Sequence, residues 1–574
     1  MNPTNIDIQR SSFQRSSSVK TSFNVGQIVP FYLDEVLPGD TFNVKTSKVV
    51  RLQTLLTPLM DNMYLDTYFF FVPNRIIWDH WEEFMGANKT SAWESTIEYQ
   101  IPQITAPTNG WHVGTIADYF GIPTGVDNIS VSALPFRAYA LIMDEWFRDQ
   151  NLSDPLNIPT NDTTVKGVNT GVFVSDVAKG GLPYTAAKYH DYFTSCLPAP
   201  QKGPEVSIPL GDQAPVYGDG KALAFHSMRG NSTTRFAVLG SGNGPLTVGS
   251  GSSSRYPFLV FESEDLKTSD QFASGGQRSI DGIGSAASTG DMNLLGLASK
   301  DDLADSAWTS GAYADLAAAS SISINSLRLA FQIQKLYEKD ARGGTRYIEL
   351  LKSHFGVTSP DARLQRPEYL GGNRIPININ QVVQTSSTAD GTTPQGNVSG
   401  YSVTADSHSD FTKSFVEHGY IIGVMVVRYD HTYQQGLQRM WSRKDRFDFY
   451  WPVLANIGEQ PVYNQEIYAQ GTNKDTEVFG YQEAWADYRY KPSIVTGEMR
   501  SQFDKSLDVW HLADDYSSLP MLSDEWIRED KVNVDRVLAV TSSVSNQLFA
   551  DIYVQNRTTR PMPMYSIPGL IDHH

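Results

Sequence analysis

Gly240-Ser241-Gly242-Asn243-Gly244 and, shortly after, Gly249-Ser250-Gly251-Ser252-Ser253-Ser254 stand near the middle of a 574-residue chain. The interval around them, Gln201 to Ser320, holds 17 of the 44 glycines, and most of it keeps neither the alternation of a strand nor the 3.6-residue repeat of a helix. A compact domain rarely accommodates so long an unpatterned loop. The interval is therefore either a linker between two domains or an insertion serving a surface. Strand signals on one side only would favour the linker, and on both sides the insertion. Within it, Ala222 to His226, Phe236 to Leu239 and Pro257 to Phe261 hint at short strands.

Upstream, Arg10, Arg15 and Lys20 face the single acid Asp7 among five serines, which reads as a basic, flexible arm. From Thr41 to Gln53, Phe42, Val44, Val50 and Leu52 fall on one face of an extended chain and Lys45 and Arg51 on the other, giving a half-buried strand. Leu65 to Val72 carries aromatics on both faces and reads as a strand buried twice, ended by Pro73. Arg75 to Met85 and Pro135 to Gln150 space their large apolar residues at helical intervals and predict two amphipathic helices.

Downstream, Asn325 or Ser326 can cap a helix through Leu327, Phe331 and Tyr337 that stops at Gly343-Gly344, and a shorter helix runs from Thr345 to Phe355 before Gly356. After a polar loop from Thr385 to Gly400, Phe411 to Arg428 predicts one long strand whose later half is apolar on both faces. Leu538, Val540 and Val544 alternate with polar residues, as do Leu548, Ala550, Ile552 and Val554 beyond Ser545-Asn546-Gln547, which predicts a hairpin. Neither side alone offers enough strands to close a sheet. One antiparallel sandwich or barrel built from both, with the glycine-rich interval inserted in it, is the better reading.

The totals agree with a globular, β-leaning chain: 40% hydrophobic and only 19% charged residues, with 44 Gly and 30 Pro as punctuation. A net charge of −17 repels nucleic acid and anionic membrane as a whole, so any DNA contact must be local. The single cysteine, Cys196, excludes an intrachain disulfide framework, fits a reducing compartment and reads as a small buried residue. Met1 to Lys20 lacks the apolar core of a secretory signal, and the longest apolar run, Gly419 to Val427, is too short to span a bilayer.

Catalytic constellations are missing. There is neither a phosphate-cradling G-x-x-x-x-G-K-[ST] loop nor an H-E-x-x-H pair, and no metal or cofactor site emerges from the scattered histidines. His418 and His431 flank the apolar run with no ligand spacing, so a structural role is favoured. The adjacent acids Glu82-Glu83, Asp301-Asp302, Asp514-Asp515 and Asp524-Glu525 point apart in a strand and do not stack on a helix, so they make no general acid and base pair. From Arg439 to Trp451, Arg439, Arg443, Lys444 and Arg446 interleave with Trp441, Phe447, Phe449, Tyr450 and Trp451, a composition suited to stacked bases and a tracked phosphate backbone. An aromatic core with surface salt bridges to Asp445 and Asp448 is the weightier reading, and both stay open. Arg557 and Arg560 lead into a Pro-containing tail that is extended and basic.

Several long motifs resemble the major capsid proteins of gokushoviruses, small single-stranded DNA bacteriophages of the Microviridae. They are Arg10 to Lys20; Phe23-Asn24-Val25-Gly26 through Asp40-Thr41-Phe42; Ser326 to Gln332 with Arg342-Gly343-Gly344; His354-Phe355-Gly356-Val357 with Pro367-Glu368-Tyr369-Leu370-Gly371-Gly372; and Trp441-Ser442-Arg443 with Tyr450-Trp451-Pro452. The resemblance implies a mainly β fold: an eight-stranded antiparallel viral jelly roll with long loops, several α-helices and one large insertion. It also implies a non-enzymatic coat subunit forming a T=1 icosahedral shell around circular single-stranded DNA. Its domains would be an arm (1–24), two parts of a discontinuous core (25–200 and 321–554), an insertion (201–320) forming a three-fold protrusion for host attachment, and a tail (555–574). The implied partners are further copies through five-fold and three-fold contacts, the genome, a small basic DNA-binding virion protein, a pilot protein, an internal scaffolding protein during assembly and a host surface receptor, without membrane insertion. Its place would be the virion, assembled in the bacterial cytoplasm. Arg10, Arg15, Lys20, Arg439, Arg443, Lys444, Arg446, Arg557 and Arg560 are the candidate inner-surface DNA contacts, and Gln201 to Ser320 the candidate attachment region. A β-rich carbohydrate-active enzyme or a sugar-binding module is the alternative.

Overall fold

The computed structural model describes residues 9–87, 98–204, 324–343, 347–356, 365–386 and 395–565, with residue 206 and short strands between 216 and 314. Two antiparallel sheets carry it. The first contains β1 (Ser11–Gln14) and β2 (Ser17–Phe23), both paired with the final strand β9 (Leu548–Arg560), which continues to β4 (Thr41–Leu52) and β7 (Thr404–Ser414). The second runs in the order β6 (Glu368–Pro376), β5 (Met63–Pro73), β8 (Gly419–Tyr429), β3 (Val29–Val36).

Phe42, Val44, Val50, Ile552 and Val554 of the first sheet and Phe69, Phe71, Ile421, Met425 and Val427 of the second form one buried cluster. The first sheet covers only this face, so β4 and β9 alternate buried and exposed residues along most of their length. The inner strands of the second sheet, β5 and β8, are buried on both faces. Their Phe70, Val72, Ile422, Val424 and Val426 pack on the opposite side with Trp78, Trp111 and α1 (Leu134–Ile142), whose Phe136, Tyr139 and Ile142 face them. That double burial is why β5 and β8 read as near-continuous apolar runs.

The glycines of the Gly371-Gly372 motif stand where chains approach closely. A Cβ on Gly372 would fall against the Thr67 carbonyl of β5, and one on Gly371 against the Asp410 carbonyl of β7. A bulge between Tyr369 and Gly371 accompanies this approach.

Several expectations change. Phe411 to Arg428 is two strands in different sheets: the chain turns at residues 415–418, where Phe415 exchanges backbone hydrogen bonds with Gly39 and Asp40. The hairpin before β9 does not form. Leu538 makes only a single bridge to Leu55, while β9 pairs with β4 from Leu548↔Leu52 to Thr559↔Thr41, a longer ladder than the local segment offers. The basic N-terminal stretch is not a flexible arm between residues 11 and 23, because β1 and β2 satisfy their backbone groups on β9. Residues 555–560, expected to be extended tail, continue β9 with Asn556 and Thr558 fully buried.

Arg75 to Met85 is a 3-10 turn (Asn74–Ile76) and a single helical turn (Trp81–Phe84), because Ile77 and Trp78 between them are drawn into the core. The helix expected from Pro135 ends in a π-helical turn, Met143–Phe147. The loop from Thr385 to Gly400 is shorter than expected, since Val398–Ser402 pairs with Ile379–Val383. The later helices are α2 (Ile324–Gly343) and α3 (Tyr347–Phe355); Asn325 and Ser326 lie inside α2 rather than capping it, and Gly356 closes α3 at φ +69°. Gly344 to Arg346 lie outside the described residues.

The chain divides into two compact units, Met1–Gly203 with Tyr337–His574, and Pro204–Leu336. In the second unit, Leu259–Glu262, Arg235–Val238, Ala224–Ser227 and Leu295–Leu297 form a four-stranded sheet in that order, overlapping the three short strands read from the sequence. Gly240 to Gly244 and Gly249 to Ser254 lie outside the described residues.

Candidate functional site

The nine cations singled out above fall into two groups. Pairing of β1 and β2 with β9 brings the terminal ones onto one sheet: Ser11 stands opposite Arg560, Gln14 opposite Arg557, and Lys20 opposite Asp551. Their engagement differs. Arg15 makes a two-pronged ion pair with Asp34, both contacts at 2.7 Å, and Asp34 also accepts from the Tyr32 hydroxyl. Burial opposes the Arg15 charge, but Asp34 more than offsets it and the guanidinium pKa rises. Arg560 lies 3.1 Å from the fully buried Asp40 and donates to the Glu35 carbonyl. Burial nevertheless raises the Asp40 pKa above the ordinary carboxylate range. Arg10, Lys20 and Arg557 are exposed and weakly held: Arg10 reaches the Gly39 carbonyl at 3.3 Å, Lys20 stands 3.5 Å from exposed Asp551, and Arg557 donates to Ser12.

The second group sits on a loop of short 3-10 turns, Arg439–Ser442, Arg446–Asp448 and Pro452–Leu454. Arg443 pairs with Asp487 and lies over the rings of Tyr488 and Phe449. Arg439 donates to the Pro461 carbonyl and stands 3.7 Å from buried Glu466. Lys444 and Arg446 are exposed. The aromatic residues are not the core that the weightier reading placed here. Trp441 is 69% and Phe447 66% exposed, and the loop stands outside all three buried clusters of the described residues.

Two charged centres carry no signal in sequence spacing. Asp66, alone in the apolar run of β5, meets Arg374 and Arg428 at 2.7 Å each and the Tyr189 hydroxyl at 2.9 Å. Burial pushes its pKa up, but the two guanidinium groups outweigh burial and hold it below the carboxylate range. His431 is wedged between Asp514, 2.8 Å from Nδ1, and Glu529, 2.9 Å from Nε2. Burial would lower its pKa; the two carboxylates reverse this and lift it to about 10. Asp514 also receives Tyr516 and Asn533, with Lys188 at 3.5 Å. Both ring nitrogens are thus occupied, which is the structural role expected of His431. Cys196 is buried as expected, and burial raises its thiol pKa.

A cleft of about 920 Å³ is lined by, among others, Arg148, Arg342, Glu459 and Glu483. Two of its acids are neutralised in place: Arg342 pairs with Glu459 and lies 3.6 Å from Glu483, which also meets Arg489 at 2.7 Å. No helix among the described residues is long and apolar enough to cross a membrane.

The sequence profile of the family described as Capsid protein (F protein) matches residues 3–570. The chain belongs to this capsid-protein family. As a capsid protein it is similar to three curated relatives, each named Capsid protein VP1. That of Spiroplasma virus 4 is 44% identical over 98% of this chain and 96% of its own length. Those of Chlamydia phage 1 and Bdellovibrio phage phiMH2K are 43% and 42% identical, again over 98% of this chain and over 96% and 95% of their own. The motifs that resemble gokushovirus coat proteins are thus motifs of the capsid protein's own family. This is a structural component of the virion, not an enzyme.

Proposed function

We propose that the chain is the repeating subunit of a T=1 icosahedral shell enclosing a circular single-stranded DNA genome, built on an eight-stranded viral jelly roll. The observation that carries this is the pair of facing antiparallel sheets, assembled from both ends of the chain around one core, in a protein that matches a capsid family along nearly its whole length.

Residues 201–320 are proposed as the insertion that forms a three-fold protrusion and contacts a host surface receptor. Division of Pro204–Leu336 from a unit made of both flanking parts supports this. The domain limits 1–24, 25–200, 321–554 and 555–574 remain proposals, the last two adjusted because β9 runs through residue 554 to Arg560.

DNA contact is assigned to the terminal sheet, to Arg10, Lys20 and Arg557, the three of its five candidate cations that pair with no buried carboxylate among the described residues. A small basic virion protein supplies the charge that a −17 chain cannot. A pilot protein and an internal scaffolding protein complete the proposed partners, with assembly in the bacterial cytoplasm.

Electron microscopy of the purified protein tests the shell. Closed particles roughly tens of nanometres across are expected, and a monodisperse 63.8 kDa species under all conditions would refute it. Deleting residues 205–318 should leave particles but abolish adsorption to host cells. Loss of all soluble protein would instead assign the interval to the core.

A further inference from the structure

The loop of residues 439–457 places apolar side chains in solvent and holds them there. Val453 is 92% exposed, and Phe449, Tyr450 and Trp451 are each about half exposed alongside Trp441 and Phe447. Five such rings amount to about 500 Å² of bare apolar surface. That is at the upper end of the largest patch on an ordinary monomer, and more than half of one partner's share, about 800 Å², of a standard protein interface.

The loop is also built. Asp445 and Asp448 cap each other's backbone reciprocally, the Trp451 indole donates to the Arg446 carbonyl at 2.9 Å, and the Trp485 indole donates to the Leu454 carbonyl at 2.7 Å. Tyr450 packs edge-on against Trp485. Side chains fixed before binding lose little further freedom on docking.

Charge decides between the two macromolecules that would cover such rings. A phosphate-tracking groove needs uncommitted cations. Here Arg439 and Arg443 are held by Glu466 and Asp487, Arg446 lies over the Phe447 and Trp451 rings, and the charges of Lys444 and Arg446 are balanced in number by those of Asp445 and Asp448. Backbone N–H groups of Asp445 and Lys444 hold Asp448 below the ordinary carboxylate range, so it stays anionic. What remains is a surface of Trp, Phe, Tyr and Met whose local charges balance, with Arg439 and Arg443 held by carboxylates, the composition of an interface centre.

We propose that residues 439–457 form a contact surface for a second copy of this chain, with Trp441, Phe447 and Val453 at the apolar centre of an interface between subunits. This rests on the shell reading above, and the unaltered chain controls for it: if the wild type forms no particles, the shell reading fails and this inference with it.

The test is the double variant Trp441→Ser/Phe447→Ser, whose side chains are largely in solvent. It should fold, with an unchanged far-ultraviolet spectrum, but need at least tenfold more protein to form particles in sedimentation velocity. Assembly at the wild-type concentration overturns the proposal, and if the particles also carry less nucleic acid, the rings belong to DNA. Should the double variant not fold, Val453→Cys decides. Cys196 is buried, so the new thiol is the accessible one. Maleimide should label it at least tenfold more slowly in nucleic-acid-free particles than in dissociated subunits. Equal rates in the two would overturn the proposal.

Discussion

Replacing His431 by Gln removes the cation between Asp514 and Glu529 while keeping a polar side chain in the space. The folded pKa of His431, about 10, lies above its ordinary 6.5. Its ion-pairing therefore contributes stability that is fully present below about pH 6.5 and is lost as pH rises through about 10. At 1.36 kcal/mol per pKa unit, the full contribution is on the order of 5 kcal/mol. This matches the 3–5 kcal/mol cost, typical in order of magnitude, of removing one partner from a buried ion pair. Asp514 has the opposite sign. Burial raises its pKa, but His431 and Lys188 outweigh burial and depress it below 3.8, so its contribution is present above pH 3.8 and is lost as pH falls through the lower folded value. Both contributions coincide between about pH 4 and 6.5. Urea unfolding of dissociated subunits should show wild type more stable than His431→Gln by about 5 kcal/mol at pH 6, about 3 at pH 8 and about 1 at pH 9.5. A gap that stays constant across this range would refute the reasoning, because it would mean that the buried imidazole is neutral and only hydrogen bonds were removed.

Arg428→Met leaves Asp66 with Arg374, whose side chain is half exposed; a loss of roughly 3–5 kcal/mol in urea unfolding is expected, with acid unfolding moved to higher pH because Asp66 is depressed by its arginines. A change under about 1 kcal/mol would show that Arg374 suffices. Gly372→Ala sets a methyl group against the Thr67 carbonyl and should abolish soluble expression; particles at full yield would show that β6 shifts without penalty. Gln at Arg10, Lys20 and Arg557 together should lower the absorbance ratio 260/280 nm of purified particles with unchanged unfolding, whereas Arg15→Gln should destabilise the subunit through Asp34. Unchanged DNA content in the triple variant would remove the terminal sheet from the DNA-contact proposal.

Where burial is decided locally, the sequence reveals it. Thr41–Leu52 alternates because one face of its sheet meets solvent, and Gly419–Tyr429 is apolar throughout because both of its own faces are covered. Partners in a sheet are not legible in the same way. Leu538, Val540 and Val544 offer an alternation next to β9, yet β9 takes β4 and β2, each about 500 residues away in sequence, because they give longer ladders over a shared core. The turn at residues 415–418 was missed for a related reason: apolar residues continue through it, and only its bonds to Gly39 and Asp40 mark the change of sheet. In the candidate site, residue type named the right cations but not their commitments. Asp34, Asp40 and Asp487, which hold Arg15, Arg560 and Arg443, are brought in by the fold.

The place of β9 in the first sheet bears on the timing of synthesis. Ser12 and Arg557, joined by a hydrogen bond, are 545 residues apart, and among the described residues β1 and β2 have no other strand partner. β1 and β2 must wait, unpaired, until β9 has been translated, and β4 lacks one of its two neighbours until then. A nascent coat subunit therefore cannot finish its sandwich before β9 is synthesised. A chain cut short of β9 would leave β1 and β2 without their partner and β4 with one neighbour fewer.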